Sequence, residues 1–240
     1  PPVEECRRAI REELGLAPEV RMGIGVDRLD YTKGILERFS AIERFLELNP
    51  DWVGRLSFVQ IAAPSRASID EYQSLDARVR AAAGRINHRF RSAACKAIDL
   101  RIEHHDSRRV YAFYRAADFC FVSSLHDGMN LVAKEYVATR EDERGVLILS
   151  QFAGAARELP EALIVNPYDT EQCAAAVAAA LAMPPDEQRA RMRSMRGLLQ
   201  EFNVYRWAGR MLLDAARMRN RSRLSAGPRP AIESSRARRN

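Results

Sequence analysis

The order of hydrophobic and polar positions divides the chain into two kinds of segment. Short apolar runs rich in β-branched and aromatic residues, such as LSFVQIA, ADFCFVSS and GVLILS, alternate with longer amphipathic stretches. Runs of this kind are typical of strands that are buried on both faces of a sheet. We predict strands at residues 21–26, 56–62, 100–103, 117–124, 145–150 and 162–165.

The stretches between these runs carry apolar residues at spacings of three and four, which predicts helices. ILERFSAIERFLEL, for example, begins after Gly34 and is closed by Asn49 and Pro50. Because strands and helices alternate throughout, we predict an α/β fold with a Rossmann-like parallel sheet and helices on both faces. The predicted helices lie within residues 1–20 and at 35–48, 69–90, 108–116, 130–138, 170–183, 187–202 and 204–218.

The stretch Ser123 to Ala138 joins a buried strand to a helix through a turn at Asp127 and Gly128. We expect Gly128 to adopt a positive φ, so that the backbone reverses tightly and aims the free amides of residues 129–132 at one point. Such a helix start attracts anions, and Glu135 lies beside it, where its carboxylate can accept hydrogen bonds from sugar hydroxyls. An ordinary capped turn with a solvated Glu135 remains an alternative interpretation of this stretch alone.

Three basic residues follow the first two predicted strands. Arg28 and Lys33 lie in the loop DRLDYTKG, and Arg66 lies in the loop APSRAS. Each of them alone is compatible with a solvated loop charge. Because open α/β sheets bind ligands at the carboxyl ends of their strands, we expect these cations to meet the DGMN turn at one crevice. Together they indicate a site for a nucleotide sugar.

Composition is that of a globular protein, with 47% hydrophobic and 29% charged residues among 240. No apolar run is long enough to span a bilayer and no signal-peptide pattern is present, so we expect no membrane partner and a cytoplasmic location. Adjacent His104 and His105 lack a third ligand at a known spacing, so no metal site is expected. The cysteines show no metal-binding spacing and are interpreted as buried or incidental thiols: Cys6, Cys95, Cys120 and Cys173.

The net charge of +6 belongs to the end of the chain. Eight arginines and one glutamate lie from Arg217 onward, so the residues before them are close to neutral. We therefore predict a basic, disordered tail over 219–240 and do not expect a nucleic-acid partner for the folded part. The chain begins with Pro1, which suggests a fragment that lacks an amino-terminal domain.

Five motifs occur in an order that resembles the carboxyl-terminal half of trehalose-6-phosphate synthases: VDRLDYTKGI, IAAPSR, AGRIN, DGMNLVAKEYVA and LILSQFAGAARELPEALIVNPYD. The resemblance runs from about Arg21 to Asp169, and more loosely to about Met218. It implies the carboxyl-terminal domain of a GT-B type glycosyltransferase, in which two Rossmann-like domains face a cleft. That family transfers glucose with retention from UDP-glucose to glucose 6-phosphate, giving trehalose 6-phosphate, without a metal or other cofactor.

The resemblance also implies roles for individual residues. Arg28 and Lys33 match ligands of the donor diphosphate, and with Asp127 they form the expected catalytic set. His105 matches a contact to the base, Glu135 a contact to the ribose, and residues 127–130 contacts to the transferred glucose. Arg66 matches a ligand of the acceptor phosphate. The full expected donor-binding set is Arg28, Lys33, His105, Asp127, Gly128, Met129, Asn130, Leu131, Val132, Ala133, Lys134 and Glu135.

In that family the leaving phosphate takes the proton of the acceptor during attack on the front face of the sugar. This agrees with the residues, since cations and helix amides aimed at the departing diphosphate stabilise the charge that develops there. The domains expected on this basis are a lead-in helix over 1–20, a nucleotide-sugar-binding domain over 21–200, a crossing helix over 201–218 and the basic tail.

Two departures from the family pattern matter. The amino-terminal half, which supplies most of the acceptor pocket, is absent from this chain, and Trp207 on the last helix would then lack part of its packing. This predicts association with a partner or with a second copy of the chain. RSAACKAIDLR also replaces a stretch that usually carries a Trp and a Pro.

Two other functions remain open from the sequence. The first is a related glycosyltransferase that uses another phosphorylated acceptor, such as glycerol 3-phosphate. The second is a non-catalytic module that only binds nucleotide sugars. A dehydrogenase is disfavoured because the first strand is followed by DRLDYTKG instead of GxGxxG.

Overall fold

A single six-stranded parallel sheet organises the protein in the computed structural model, which describes residues 1–64, 70–202 and 204–225. The strands are β1 (Arg21–Arg28), β2 (Leu56–Ala63), β3 (Ile98–Arg101), β4 (Phe119–Val122), β5 (Val146–Ser150) and β6 (Leu163–Val165). All neighbouring strands run parallel, so the predicted α/β fold with a parallel sheet is confirmed. β3 begins two residues earlier than predicted.

The strand order across the sheet is β3-β2-β1-β4-β5-β6. The chain therefore builds outward from β1 to β3 and then returns to the other side of β1 with β4. A crevice forms at this reversal of direction, because the loops that follow β1 and β4 turn to opposite faces of the sheet. Both loops carry predicted site residues.

The helices that cover both faces of the sheet are α1 (Val3–Leu14), α2 (Ile35–Leu48), α3 (Asp70–Arg89), α4 (Ser107–Ala116), α5 (Leu131–Thr139), α6 (Thr170–Ala182) and α7 (Pro185–Glu201). Helix α8 (Val204–Ser225) follows them in the chain. One apolar core contains residues of α2, α3 and α6, and the other contains residues of α1, α4, α5 and α7. The strands are buried between these two layers, which explains their unbroken apolar sequences.

The compact unit that contains the sheet extends from Pro1 to Leu199, and residues from Gln200 onward form a separate unit. Helix α1, expected as a lead-in, belongs to the first unit because Val3, Cys6 and Ile10 are buried in its core. Within the described residues of the second unit, α8 continues to Ser225, seven residues past its expected end. Arginine is a good helix former, and this accounts for helix in a segment expected to be disordered. No described helix is long and apolar enough to cross a bilayer.

Candidate functional site

A cleft of about 550 Å³ opens at the carboxyl ends of β1 and β4. It brings together the predicted residues from separate loops of the sheet. The predicted residues that line it are Arg28, Lys33, His105, Asp127, Met129, Asn130, Leu131, Val132 and Glu135. The crevice expected from the loop chemistry is therefore present in the fold.

Asn130 begins helix α5 and shapes the turn before it. Its φ is 74°, whereas Gly128 does not have a positive φ, so the prediction for Gly128 is wrong. Asparagine adopts this conformation more readily than most residues, and here its side chain also accepts a hydrogen bond from the amide of Ala133 at 2.9 Å. Its amide group donates to Asp127 Oδ2 at 3.1 Å. One residue thus both caps the helix and orients the carboxylate beside it.

Lys33 meets Asp127 across the reversal point of the sheet, with Nζ 2.7 Å from Oδ2. The two loops are joined by backbone contacts as well, since Leu125 donates its amide to Thr32 O at 2.7 Å. Gly34, which follows Lys33, has a φ of 62°, and a Cβ at that position would overlap the carbonyl oxygen of Ser123. Only glycine allows both this conformation and this close approach.

The two carboxylates at the start of α5 have opposite pKa shifts. Burial tends to raise the pKa of Asp127, but the hydrogen bond and charge of Lys33, with Asn130, hold it below 3.8. Burial raises the pKa of Glu135 above 4.5. The Tyr114 hydroxyl makes no hydrogen bond of ordinary length with a described residue, yet it lies near enough to Glu135 to lower that pKa somewhat.

Arg28 is an exposed cation at the end of β1. Its guanidinium forms no hydrogen bond or ion pair with any residue that the structure describes. The backbone of Arg28 is fixed in β1, while its guanidinium has no partner among the described residues. An arginine in this position suits the recognition of a phosphate that arrives from solvent.

A second wall of the cleft consists mainly of residues that the sequence patterns do not identify. It is formed by Glu103, Ser107, Val110 and Tyr111 at and after the end of β3, with Ile61 and Ala63 of β2. His105 belongs to this wall, and its Nε2 lies 3.3 Å from Oε1 of Glu103. Val110 and Tyr111 lie in the helix predicted at 108–116, and only the position of that helix at the cleft shows their place in the lining.

Three of the predicted residues that the structure describes do not line the cleft. Ala133 is fully buried, Gly128 lies outside the lining, and Lys134 pairs with Glu158 at 2.8 Å. Lys134 directly precedes Glu135 in the helix, and adjacent helical residues do not face the same direction. Arg66 lies outside the described residues.

Within residues 1–64, 70–202 and 204–225, no group of three or more His, Cys, Asp and Glu side chains is arranged to hold a metal ion. The described cysteines are free thiols. Burial raises the pKa of Cys173 to about 12, so this thiol is a poor nucleophile. The charged groups that line the cleft include the cations Arg28 and Lys33 and the carboxylates Asp127 and Glu135.

The model of glycosyltransferase family 20 matches residues 1–217 of the chain. A trehalose-phosphate synthase described as UDP-forming, from Pichia angusta, is 38% identical over 216 residues, which are 90% of this chain and 46% of the relative. The chain thus spans less than half the length of this curated relative.

Two solved structures are also similar. A UDP-forming trehalose-phosphate synthase from Burkholderia xenovorans, solved with glucose 6-phosphate, is 42% identical with a TM-score of 0.83 and covers 88% of this chain and 46% of its own. An E. coli protein solved with UDP-2-fluoro glucose is 36% identical with a TM-score of 0.81 and covers 89% of this chain and 49% of its own. The Rossmann-like, GT-B type fold expected from the motifs is thereby confirmed.

Proposed function

The chain belongs to glycosyltransferase family 20, and from that premise we propose that it is the donor-binding part of a trehalose-6-phosphate synthase. The reaction proposed is transfer of glucose from UDP-glucose to glucose 6-phosphate with retention of configuration. The observation that carries the proposal is the meeting of Arg28, Lys33 and the start of α5 at one cleft. Cations and a helix amino terminus converging on one point suit the diphosphate of a nucleotide sugar.

Each part of the donor has a complementary group in the cleft. The diphosphate lies against Arg28 and Lys33, and the transferred glucose lies against the turn from Asp127 to Asn130. The ribose hydroxyls donate to Glu135, and the base lies along the wall that contains His105. In this arrangement the bond that breaks, between the sugar and the diphosphate, lies beside Arg28 and Lys33.

Charge stabilisation is the main contribution proposed for this half of the enzyme. Negative charge grows on the diphosphate as the bond to glucose breaks, and Lys33 and Arg28 interact more strongly with that charge than with the intact donor. Asp127 holds the Lys33 ammonium at 2.7 Å before the donor binds, so this cation needs little rearrangement. The departing phosphate then takes the proton of the acceptor hydroxyl.

The acceptor side requires more than the described residues. We propose that Arg66 contacts the phosphate of glucose 6-phosphate, and that a further Rossmann-like domain supplies the rest of the acceptor pocket. The support for this is that relatives such as the Pichia angusta protein are about twice as long as the matched region. Enclosure by a second domain would also exclude water from the reaction.

Calorimetry with UDP-glucose tests the donor part of the proposal directly. Lys33→Met should weaken binding by about 10- to 100-fold, the effect of losing one charge-assisted hydrogen bond. Lys96→Met is the matched control, because Lys96 is an exposed lysine outside the cleft and its loss should not change the affinity. A chain that does not bind UDP-glucose, or one in which both substitutions have the same effect, would contradict the proposal.

A further inference from the structure

A fully buried arginine lies beneath the cleft. Arg38 of helix α2 is 0% exposed, and its Nη1 donates to Asp27 Oδ2 at 2.8 Å and to Gln60 Oε1 at 2.6 Å. The backbone leaves room for it at Gly25, where a Cβ would overlap Nη1. A buried charge is costly unless it is paired, so this arrangement needs an explanation beyond packing.

The same guanidinium reaches the loop that carries Lys33. Arg38 Nη2 lies 3.5 Å from the carbonyl oxygen of Lys33, at the long limit of a hydrogen bond, and Ser123 Oγ donates to that oxygen at 3.1 Å. The backbone amide of Arg38 also donates to the carbonyl of Gly34 at 3.0 Å. The main chain of Lys33 is therefore held from two sides, and one of them is Arg38.

Asp27 presents a competing charge for the Lys33 ammonium. Asp27 is among the residues that line the cleft, its carboxylate is almost fully buried, and Lys33 lies close enough to interact with its charge. Lys33 instead makes its ion pair with Asp127, on the side of the cleft where α5 begins. Arg38 neutralises Asp27, and this leaves the lysine on the side where an anion would bind.

We propose that Arg38 is a positioning residue for Lys33, which it serves by fixing the loop backbone and by neutralising Asp27. This inference rests on the proposed function in one respect, namely that Lys33 binds the donor diphosphate. Without Arg38, the unpaired carboxylate of Asp27 attracts the ammonium to the bottom of the cleft and away from the ligand.

Arg38→Met in the full 240-residue chain should weaken the binding of UDP-glucose by about 10- to 100-fold, approaching the effect of losing Lys33 itself. If this variant does not fold, Asp27→Asn with Arg38→Met removes both buried charges at once. That double variant should recover part of the affinity, because no carboxylate is left to capture Lys33. Equal affinity of the Arg38→Met chain and the native chain would overturn the proposal.

A double-mutant cycle separates positioning from general loss of structure. If Arg38 acts through Lys33, Arg38→Met should have no further effect on affinity in a chain that already carries Lys33→Met. Arg140→Met is the matched control, since Arg140 is also 0% exposed but binds the carbonyls of Tyr114, Arg115 and Ala117 away from the cleft. It should lower the melting temperature and leave the affinity unchanged. Additive effects of Arg38→Met and Lys33→Met would overturn the proposal.

A crystal structure of the ligand-free Arg38→Met chain tests the inference independently of any donor. The Lys33 Nζ should leave Asp127 Oδ2 and lie within ion-pair distance of Asp27. A lysine that remains at 2.7 Å from Asp127 would overturn the positioning role, whatever the chain binds. Failure of the native chain to bind UDP-glucose, with the lysine displaced as expected, would contradict the proposed function alone.

Discussion

At the scale of single residues, the two carboxylates at the start of α5 differ in whether a cation is paired with them. Asp127 is paired with Lys33 and has a lowered pKa, while burial raises the pKa of Glu135 with little to offset it. The first is held as an anion before a ligand arrives. Glu135 takes up a proton at a higher pH than an ordinary glutamate does, and it is the carboxylate that the proposed ribose contact uses.

This difference predicts a pH dependence of donor binding. The affinity for UDP-glucose should rise with pH across the weakly acidic range above 4.5, because ionised Glu135 accepts hydrogen bonds from both ribose hydroxyls and the protonated form does not. Calorimetry at a series of pH values measures the effect. Glu135→Gln should bind more weakly at neutral pH and show no rise, and a rise that persists in this variant would assign the titration to another group.

The sequence predicts the position of this turn better than its backbone conformation. The sequence identified Asp127 and Asn130 as members of the turn, but it assigned the positive φ to Gly128 because glycine has the lowest intrinsic cost there. The fold instead uses Asn130, whose side chain makes three hydrogen bonds in that conformation, with Ser124, Asp127 and Ala133. The intrinsic backbone preferences of the residues do not predict this choice, because the hydrogen bond from Asn130 to Asp127 depends on the ion pair of Asp127 with Lys33.

At the scale of elements, the loop after β1 and the turn after β4 act as one assembly. Lys33 precedes a glycine with a φ of 62°, and that glycine lies directly against Ser123 at the end of β4. The position of the lysine therefore depends on close contact between two loops that are about ninety residues apart in the chain. The helical and strand periods predicted the elements on each side, but not this contact.

Two glycines with the same conformation allow this contact to be tested. Gly34→Ala introduces both a strained φ and an overlap with Ser123 O, whereas Gly15→Ala, at a φ of 63°, meets nothing within 4 Å. Gly15→Ala should lower the free energy of unfolding by about 1–2 kcal/mol, the cost of the left-handed conformation. Gly34→Ala should cost more and should also weaken UDP-glucose binding. Equal losses in urea unfolding would show that the contact with Ser123 contributes nothing.

At the scale of the whole molecule, one parallel sheet accounts for both the fold and the site. Alternating strand and helix patterns predicted that sheet and the edge where its ligand would bind. They did not predict the wall formed by Val110 and Tyr111, because apolar residues on a helix look the same whether they face a core or a cleft. The patterns did not predict the burial of Arg38 either, because a single arginine on an amphipathic helix normally faces solvent.

The compact unit predicts that donor binding does not need the last helix. All described residues that line the cleft lie between Val26 and Glu135, and both apolar cores end before Gln200. A chain truncated after Phe202 should therefore unfold cooperatively and bind UDP-glucose with an affinity within about twofold of the full chain. Loss of binding in a truncated chain that remains folded would assign α8 a direct part in forming the site.

The strand order determines when the cleft forms during folding. β1 pairs with β2 through a local connection, but its other neighbour is β4, and the intervening segment must first be ordered. Contacts between residues so far apart form late, because closing a long loop has an entropic cost that early contacts do not repay. The pair of Lys33 with Asp127 belongs to this late class. Partly folded chains in which only the first three strands are assembled should therefore not bind the proposed donor, because they lack the residues after β4 that line the cleft.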